Sequence, residues 1–337
     1  MKKAIPVIIL VLLTSFLLAC SSDSDEDTPS AKESSSNPIG LVPQKANLLG
    51  YLNAAQLLDD EDIINMYNES DKEPGDPETI EDALDMIGAE GFGAVVLFAD
   101  LSDMSDLDSI PDIPDDGSIP DLGELDGYMG IIVEGSFDKD KLIAGIEAET
   151  EEEITTSTHN NHTIYADSEG SAIAFLSDDM FVMGTIDPVK DVIDVKEGDE
   201  SSVNGEVLDI YDDLGTALFK LAMLIPEGLA EEFAEEDMGA DGIMSMDMSE
   251  FEDIETVALT VDKQDDSVAI EAQICFASQD SAQALKEIIT DLAMLFGLED
   301  LELSVNGSCV LIGIEITSAM IEDTMEGMLE GFAFELE

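Results

Sequence analysis

Two histidines, His159 and His162, lie three residues apart and are the first candidates for metal chemistry in this chain. An imidazole pair at such a spacing binds a metal ion when a helix turns both rings toward one side. Here Asn160 and Asn161 separate the two, and this pair favours a tight turn between strands. Carboxylates are the only further ligands nearby in sequence. We therefore expect exposed turn histidines, with no metal site and no bound cofactor.

Other chemical motifs in the sequence are incomplete. Residues 136–139 match S-x-x-K, the nucleophile motif of penicillin-binding proteins, but the partner motifs K-T-G and S-D-N do not occur. Ser136 is better explained as the cap of a helix, and Asp138 is the alternative cap of the same helix. Met244, Met246 and Met248 are soft ligands suited to Cu(I), but they fit a partly buried flap. Motifs for serine hydrolases, zinc proteases and nucleotide binding are missing from the sequence, so we predict that the protein is not an enzyme.

Acidic residues are concentrated between residues 100 and 127, which contain ten Asp or Glu and three Pro. Calcium loops of the EF-hand type need regularly spaced acids, a glycine and a distant glutamate, and this segment does not keep that spacing. We interpret it as an irregular, mobile insertion, and weak binding of divalent cations outside the EF-hand pattern stays open as an alternative. The candidate ligands are Asp103, Asp106, Asp108, Asp112, Asp115 and Asp116.

Cys275 and Cys309 lie in two predicted strands of the C-terminal part. Side chains alternate between the faces of a strand, which places Cys275 beside Glu271 and Cys309 on the same face as Glu315. Both thiols therefore fall on the more polar face of what should be one sheet. A cross-strand disulfide fits an exported protein in an oxidising compartment, and two free buried thiols are the alternative.

The N-terminal residues indicate export and lipid attachment. Lys2 and Lys3 precede an apolar run of about fifteen residues, shorter than the roughly 20 that cross a bilayer as a helix. The run ends in Leu17-Leu18-Ala19-Cys20, which resembles the bacterial lipobox. The resemblance implies that residues 1–19 are removed and that Cys20 receives lipid, so that acyl chains such as palmitate hold the protein at a membrane. Ser21 favours the outer membrane if the host has one; otherwise the protein faces outward from the cell membrane.

The chain is strongly acidic, with a formal net charge of −67 from 79 acidic residues against 12 lysines and no arginine. Such a charge repels nucleic acid and anionic lipid headgroups, so lipid alone would hold the protein at a membrane. Either the host lives at high salt, where the charge is screened, or one surface recruits divalent cations or a basic partner. The spread of acids over the whole chain favours the saline explanation.

The pattern of apolar residues predicts an α+β fold. Residues 20–40 are a flexible Ser-rich, acidic linker, followed by two similar halves, 41–198 and 203–337, with the insertion 100–127 in the first. Each half is an antiparallel sheet of strand-turn-strand-helix units with helices on one face. Predicted strands cover residues 47–53, 94–99, 128–134, 154–158, 163–166, 172–176, 181–184, 217–224, 256–261, 268–276, 301–305 and 309–316. Predicted helices cover residues 54–67, 78–87, 138–149, 206–213, 281–296 and 318–329, and one more begins at residue 187.

Three junctions between elements, at residues 42–53, 134–138 and 183–193, resemble those of a broad group of exported bacterial proteins of unknown function. The resemblance covers residues 41–337 loosely, and its motifs are structural. It implies a fold of two α+β halves and no particular chemistry.

Three functions remain open at this point. The first is a non-catalytic surface lipoprotein that binds an unidentified protein or lipid partner or contributes to the cell envelope. The second is a carrier of a lipid or other apolar ligand, which requires a continuous apolar cavity above roughly 300 Å³ between sheet and helices. The third is a hydrolase that uses two carboxylates converging in a cleft.

Overall fold

The computed structural model describes residues 37–69, 77–86, 88–103, 127–150, 154–168, 170–226, 229, 253–264, 267–296 and 301–317. The signal, the linker, the predicted helix 318–329 and the methionine segment 244–248 lie outside these residues. So do Cys20 and all candidate cation ligands of the insertion except Asp103, which ends a short 3-10 helix, Leu101–Asp103.

Twelve strands form one sheet in the described part of the chain, and every neighbouring pair is antiparallel. The strand order is β11-β12-β10-β9-β8-β1-β2-β3-β7-β6-β5-β4. The strands are β1 (Leu48–Leu52), β2 (Ala89–Asp100), β3 (Tyr128–Phe137), β4 (Thr155–His159), β5 (His162–Ala166), β6 (Ser171–Phe175), β7 (Met180–Thr185), β8 (Phe219–Leu224), β9 (Ile254–Lys263), β10 (Ser267–Phe276), β11 (Glu302–Asn306) and β12 (Cys309–Thr317). The predicted α+β class is confirmed.

Seven α-helices in the described residues connect these strands: α1 (Ala54–Leu58), α2 (Glu61–Glu69), α3 (Ile80–Met86), α4 (Lys139–Thr150), α5 (Ile186–Glu197), α6 (Glu206–Asp213) and α7 (Gln279–Phe296). A 3-10 helix, Pro38–Leu41, precedes β1. Asp138 caps α4, because its Oδ1 accepts hydrogen bonds from the backbone N–H groups of Asp140 and Lys141. Of the two predicted caps it is therefore Asp138, and not Ser136, that begins this helix.

The predicted helix over residues 54–67 is two helices, α1 and α2. The break falls at Asp60, whose Oδ1 accepts from the backbone N–H groups of Asp62 and Ile63 at 3.0 and 3.3 Å. This side chain accepts from the free N–H groups at the start of α2. The spacing of apolar residues alone did not reveal the break between the two helices. Lys263 of β9 holds the same carboxylate with hydrogen bonds of 2.7 and 2.6 Å to its two oxygens.

Helices cover both faces of the sheet, so the expectation that they lie on one face is wrong. Successive residues of β2 belong to different cores: Val95 packs with α1 to α4, and Val96 packs with α5 and α6. The third core joins α7 to β10, β11 and β12 through Phe276, Leu285 and Val310. The central strands are apolar on both sides, and this requires cover on both sides.

The two predicted halves meet at the pairing of β1 with β8, where Tyr51 lies opposite Lys220. Strands β1 to β7 lie on one side of this junction in the sheet, and β8 to β12 lie on the other. The sheet therefore continues across the predicted boundary. The division into 41–198 and 203–337, and the similarity of the two parts, stay predictions.

Candidate functional site

A pocket of about 460 Å³ lies where the 3-10 helix Pro38–Leu41 and α6 meet strands β1 and β8. It is thus bounded by the sheet on one side and by the helical segments on the other. Apolar and polar groups share its lining. The lining residues are Asn37, Pro38, Ile39, Gly40, Tyr51, Asn53, Ser202, Val203, Leu208, Tyr211, Asp212, Gly215, Thr216, Ala217 and Lys220.

Lys220 is the buried lysine of this pocket, with 8% of the residue exposed. It shares a face of β8 with buried Ala222, because side chains alternate along the strand. Its Nζ donates a hydrogen bond to the carbonyl oxygen of Gly215 at 2.9 Å. It also lies 3.7 Å from the ring centre of Tyr211 and 5.9 Å from that of Tyr51. The ammonium is thus held by ring faces and by one carbonyl.

No described carboxylate lies within ion-pair distance of Lys220. Burial lowers the pKa of its ammonium, and the nearby charge of Asp212 opposes part of that shift. The end of α6 compensates in another way, since Gly215 follows this helix and cations are favoured near a helix C-terminus. Cation–π contact with two tyrosines adds to this stabilisation.

The hydroxyl groups of Tyr51 and Tyr211 are further donors in the pocket lining. Burial raises the pKa of both, with contributions from Glu134 at Tyr51 and from Tyr51 and Asp212 at Tyr211. Both phenols therefore remain protonated at neutral pH. Neither hydroxyl forms a hydrogen bond with another described residue, and no fully buried polar side-chain atom among these residues lacks a partner, so both hydroxyls are accessible to solvent. A buried ammonium and two neutral hydroxyls thus make the pocket rich in hydrogen-bond donors.

This arrangement is suited to holding the polar end of a small molecule. An ammonium has three N–H donors, and the Gly215 carbonyl takes one of them. The volume is near the lower end of the roughly 300–1,000 Å³ typical of ligand pockets. Apolar side chains such as Leu208 and Val203 line the same space. The pocket therefore exceeds the volume set for the carrier hypothesis, but its lining is mixed and not continuously apolar.

Sequence reasoning did not single out this site. One signal was available: in the predicted strand 217–224, Lys220 takes a position of the same parity as Ala222 and Leu224. A lysine on an apolar strand face indicates a specific partner. The partners Tyr51 and Tyr211 come from β1 and α6, and the pairing of β8 with β1 could not be read from the sequence.

The two histidines of the H-x-x-H motif lie where the turn was predicted, but they are not free in solvent. Asn160 and Asn161 form the turn with φ of 44° and 65°. His159 Nε2 lies 2.6 Å from Asp194 Oδ1, and His162 Nε2 lies 3.1 Å from Glu197 Oε1. The turn therefore docks on α5, and the expectation of exposed turn histidines is wrong.

Asp191, Asp194 and Glu200 form a group of three carboxylates near this turn, with oxygens within 4.8 Å of one another. Two of them already have cationic or polar contacts. Lys45 Nζ lies 2.8 Å from Asp191 Oδ2, and Asp194 contacts His159. The Tyr128 hydroxyl donates to Asp191 Oδ2 at 2.9 Å. The cluster thus links the β4–β5 turn, α5 and the segment before β1, and this structural role accounts for its contacts.

The S-x-x-K segment does not assemble a nucleophile. The Ser136 hydroxyl donates to Glu90 Oε2 at 3.1 Å, whereas Lys139 Nζ contacts Asp178 Oδ1 at 2.8 Å. Serine and lysine therefore have separate partners. Ser136 is exposed near the end of β3.

Cys275 and Cys309 are joined by a disulfide between directly opposed positions of β10 and β12. Their Cα atoms lie 4.0 Å apart. The side-chain amide of Gln273 lies 3.2 Å from Cys275 Sγ on the same face. Of the two alternatives left by the sequence, the structure has the bridged form.

None of the helices in the described ranges has the length and apolar character needed to cross a bilayer.

No protein-family model matches the chain, and no curated protein matches it. Similar solved structures are crystal forms of TP0453. Form III has a TM-score of 0.49 and 9% identity, over 87% of this chain and 99% of the TP0453 chain. Form I has a TM-score of 0.47 and 10% identity over 88% and 99%. Form IV has a TM-score of 0.46 and 10% identity over 86% and 97%.

Proposed function

We propose that this protein is held outside the cytoplasm at a membrane by lipid on Cys20, and that it binds a small ligand without chemically altering it. The ligand site is the pocket beside Lys220. The observation that carries the proposal is a buried ammonium, without a carboxylate partner in the described residues, that lines a cavity of about 460 Å³. Burial of a charge is unfavourable unless the charge is paired, so a ligand group would complete this site.

A purely structural role explains Lys220 less well. A cation at the end of α6 would stabilise that helix from the protein surface, where it would keep its water. Here the ammonium is buried, and burial lowers its pKa. A structural lysine would also be expected to use the acids that are abundant in this chain, as Lys263 does with Asp60 and Asp62.

Binding is supported over catalysis by the chemistry of the lining. The pocket presents hydrogen-bond donors from Lys220, Tyr51 and Tyr211, and Asp212 is the one carboxylate among its lining residues. A hydrolase built on carboxylates needs two converging acids. An apolar carrier needs a lining without a buried charge, so a ligand with one polar end fits better than a wholly apolar one.

The membrane part of the proposal depends on the lipobox and on the charge of the chain. Asn37, the first described residue, lines the pocket and follows Cys20 by 17 positions. That segment can reach at most about 60 Å when fully extended. The pocket thus lies beside the first described residue, 17 positions from the proposed anchor. With a net charge of −67, the protein gains no electrostatic attraction to anionic headgroups.

Intact mass measurement under native conditions tests the ligand site. The full-length protein is extracted gently from host membranes and weighed under native and then denaturing conditions. We expect a small non-covalent ligand on the wild type that is lost on denaturation. Thr216→Trp fills the pocket and should abolish that extra mass. Thr156→Trp makes the same change on exposed β4, away from the pocket, and should retain it.

Two results would count against the site. One is a wild-type protein that carries no ligand when extracted and acquires none from a host metabolite extract. The other is a ligand that both Trp variants bind equally well, because the ligand would then lie elsewhere. Conversion of the ligand during incubation with purified protein would contradict the non-catalytic part of the proposal.

A further inference from the structure

We infer that the ligand of this pocket is a monoanion, a carboxylate carried on a short apolar group, with Lys220 as its counter-charge. The inference rests on the proposed function, since it takes the pocket as the ligand site. It adds the chemical class of the ligand and the residue that recognises its charge.

Comparison of the lysines in this chain is the first argument. Five described lysines contact a carboxylate within 4.0 Å: Lys45, Lys139, Lys141, Lys190 and Lys263. Even Lys263, with 17% of its side chain exposed, contacts two. Lys220 is the one lysine among the described residues that is classed as buried, and it contacts none. Lys196 and Lys286 also lack a carboxylate contact among the described residues, but both are more exposed. Burial without such a partner, in a chain with 79 acidic residues, therefore distinguishes Lys220.

Hydrogen bonding is the second argument. Tyr51 and Tyr211 present protonated hydroxyls that have no acceptor among the described residues. A carboxylate offers two oxygens with about four acceptor sites. It can therefore accept from the Lys220 ammonium and from both hydroxyls at once. A ligand cation would instead face the ammonium at close range, and it would leave these donors unused.

The charge of the ligand is limited to −1 by the surroundings. Among the described residues that line the pocket, Lys220 supplies the one cationic group and Asp212 supplies a carboxylate. The protein as a whole carries −67. A second negative charge on the ligand would have no counter-charge and would be repelled. A monocarboxylate is therefore favoured over dicarboxylates and phosphate dianions.

The apolar residues of the lining indicate which kind of group the ligand carries at its other end. Ile39, Val203, Leu208 and Ala217 are apolar lining residues, and they favour a short apolar group. The pocket volume of about 460 Å³ limits its length. A short-chain or aromatic monocarboxylate fits both limits.

Ligand titration with matched probes tests the inference. The probes are hexanoate, hexan-1-ol and hexylamine, which share one apolar chain and differ in charge. Binding is measured by isothermal titration calorimetry, because three of the five tyrosines of the chain lie outside the pocket lining and would add to any fluorescence signal. At constant ionic strength we expect hexanoate to bind at least tenfold more tightly than hexan-1-ol, and hexylamine not to bind. Because this series uses the unaltered protein, it does not depend on the folding of any variant.

Variants then assign the preference to Lys220. Lys220→Met should remove the advantage of hexanoate over hexan-1-ol while hexan-1-ol still binds. Lys286→Met, on α7 and outside the pocket, should leave it unchanged.

The following outcomes would overturn the inference. Equal binding of hexanoate and hexan-1-ol, or a preference that survives Lys220→Met, would contradict anion recognition but leave a working pocket. Preferred binding of hexylamine would show that the pocket recognises a cation and not an anion. Failure of all three probes, in a protein whose native mass includes a different ligand, would exclude the ligand class and leave the proposed function intact. The same failure with no ligand on the native protein would reject both.

Discussion

Lys220 and Lys263 lie in the same sheet but differ in their carboxylate contacts and in the direction of their pKa shift. Lys263 contacts Asp60 and Asp62, and their hydrogen bonds and charges raise its pKa although burial opposes the shift. Lys220 lacks such partners, and burial lowers its pKa. Protonation of Lys220 is therefore disfavoured by folding, and its contribution to stability rises as pH increases toward its unfolded value of 10.5.

The disulfide between Cys275 and Cys309 leads to a prediction at the same scale. The bridge closes a sequence separation of 34 residues, so it restricts the unfolded chain. Replacement of both cysteines by Ser should lower the free energy of unfolding by about 3 kcal/mol, measured by urea denaturation. Without reductant, alkylation and mass mapping of the mature wild type should find no free thiol at either position. Two alkylated cysteines in the folded protein would contradict the bridge.

Parity within single strands predicted the shared face of these two cysteines, because alternation is a local property of a strand. The partners of Lys220 could not be predicted in the same way. Tyr51 lies 169 positions earlier, and the pairing of β1 with β8 brings it to Lys220. Tyr211 lies 9 positions earlier on α6, and the packing of this helix brings it to Lys220. The contacts of His159 and His162 with α5 also depend on the packing of the turn, and no sequence spacing encodes it.

At the scale of elements, the joint between α1 and α2 is fixed by contacts across the sheet. Asp60 caps α2 and also holds Lys263 at the end of β9. The apolar pattern of residues 54–67 predicted the helical conformation correctly but missed this break. A cap and a distant lysine determine it, and neither contributes to apolar periodicity.

Removal of Lys263 should loosen this joint. Lys263→Met removes the charge of Lys263 from beside two partly buried carboxylates, so we expect the free energy of unfolding at pH 7 to fall by about 2 kcal/mol. The raised pKa means that the advantage of the wild type is full below pH 10.5 and decreases as pH rises through the folded-state value. Chemical denaturation at pH 7 and at pH 11 measures both effects.

Lys286→Met on α7 is the matched control for Lys263, because it removes a lysine with no carboxylate contact among the described residues. It should change stability by no more than about 0.5 kcal/mol. Asp60→Asn keeps the oxygen that caps α2 but removes the charge, and it should be less damaging than Asp60→Ala. Equal stability of wild type and Lys263→Met at pH 7 would contradict a stabilising role for this contact.

At the scale of the whole molecule, the α+β class followed from the sequence because most strands and helices carry their own periodicity. The sequence did not predict on which faces of the sheet the helices lie. The central strands β2, β3 and β7 are apolar on both faces, and this was the available sign that both faces are covered. The apolar pattern of a strand does not indicate which helix packs on each of its faces.

The net charge of −67 predicts a dependence of stability on salt. Self-repulsion opposes the compact state, and the screening length falls from about 10 Å at 0.1 M to about 3 Å at 1 M. We expect the melting temperature to rise by roughly 5 °C or more between 0.1 and 1 M NaCl. CaCl₂ at matched ionic strength is the control. A rise with calcium but none with NaCl would reject screening and favour specific cation binding.

The proposed lipid anchor is tested most directly by replacing Cys20 with Ser in the native host. The product is then located by cell fractionation and its intact mass is measured. The wild type should partition with membranes, begin at residue 20 and carry the covalent mass of its acyl chains under denaturing conditions. The Ser variant should be released into the soluble extracytoplasmic fraction or remain as an uncleaved precursor. A Ser variant that is cleaved normally and still stays on the membrane would contradict the lipid anchor.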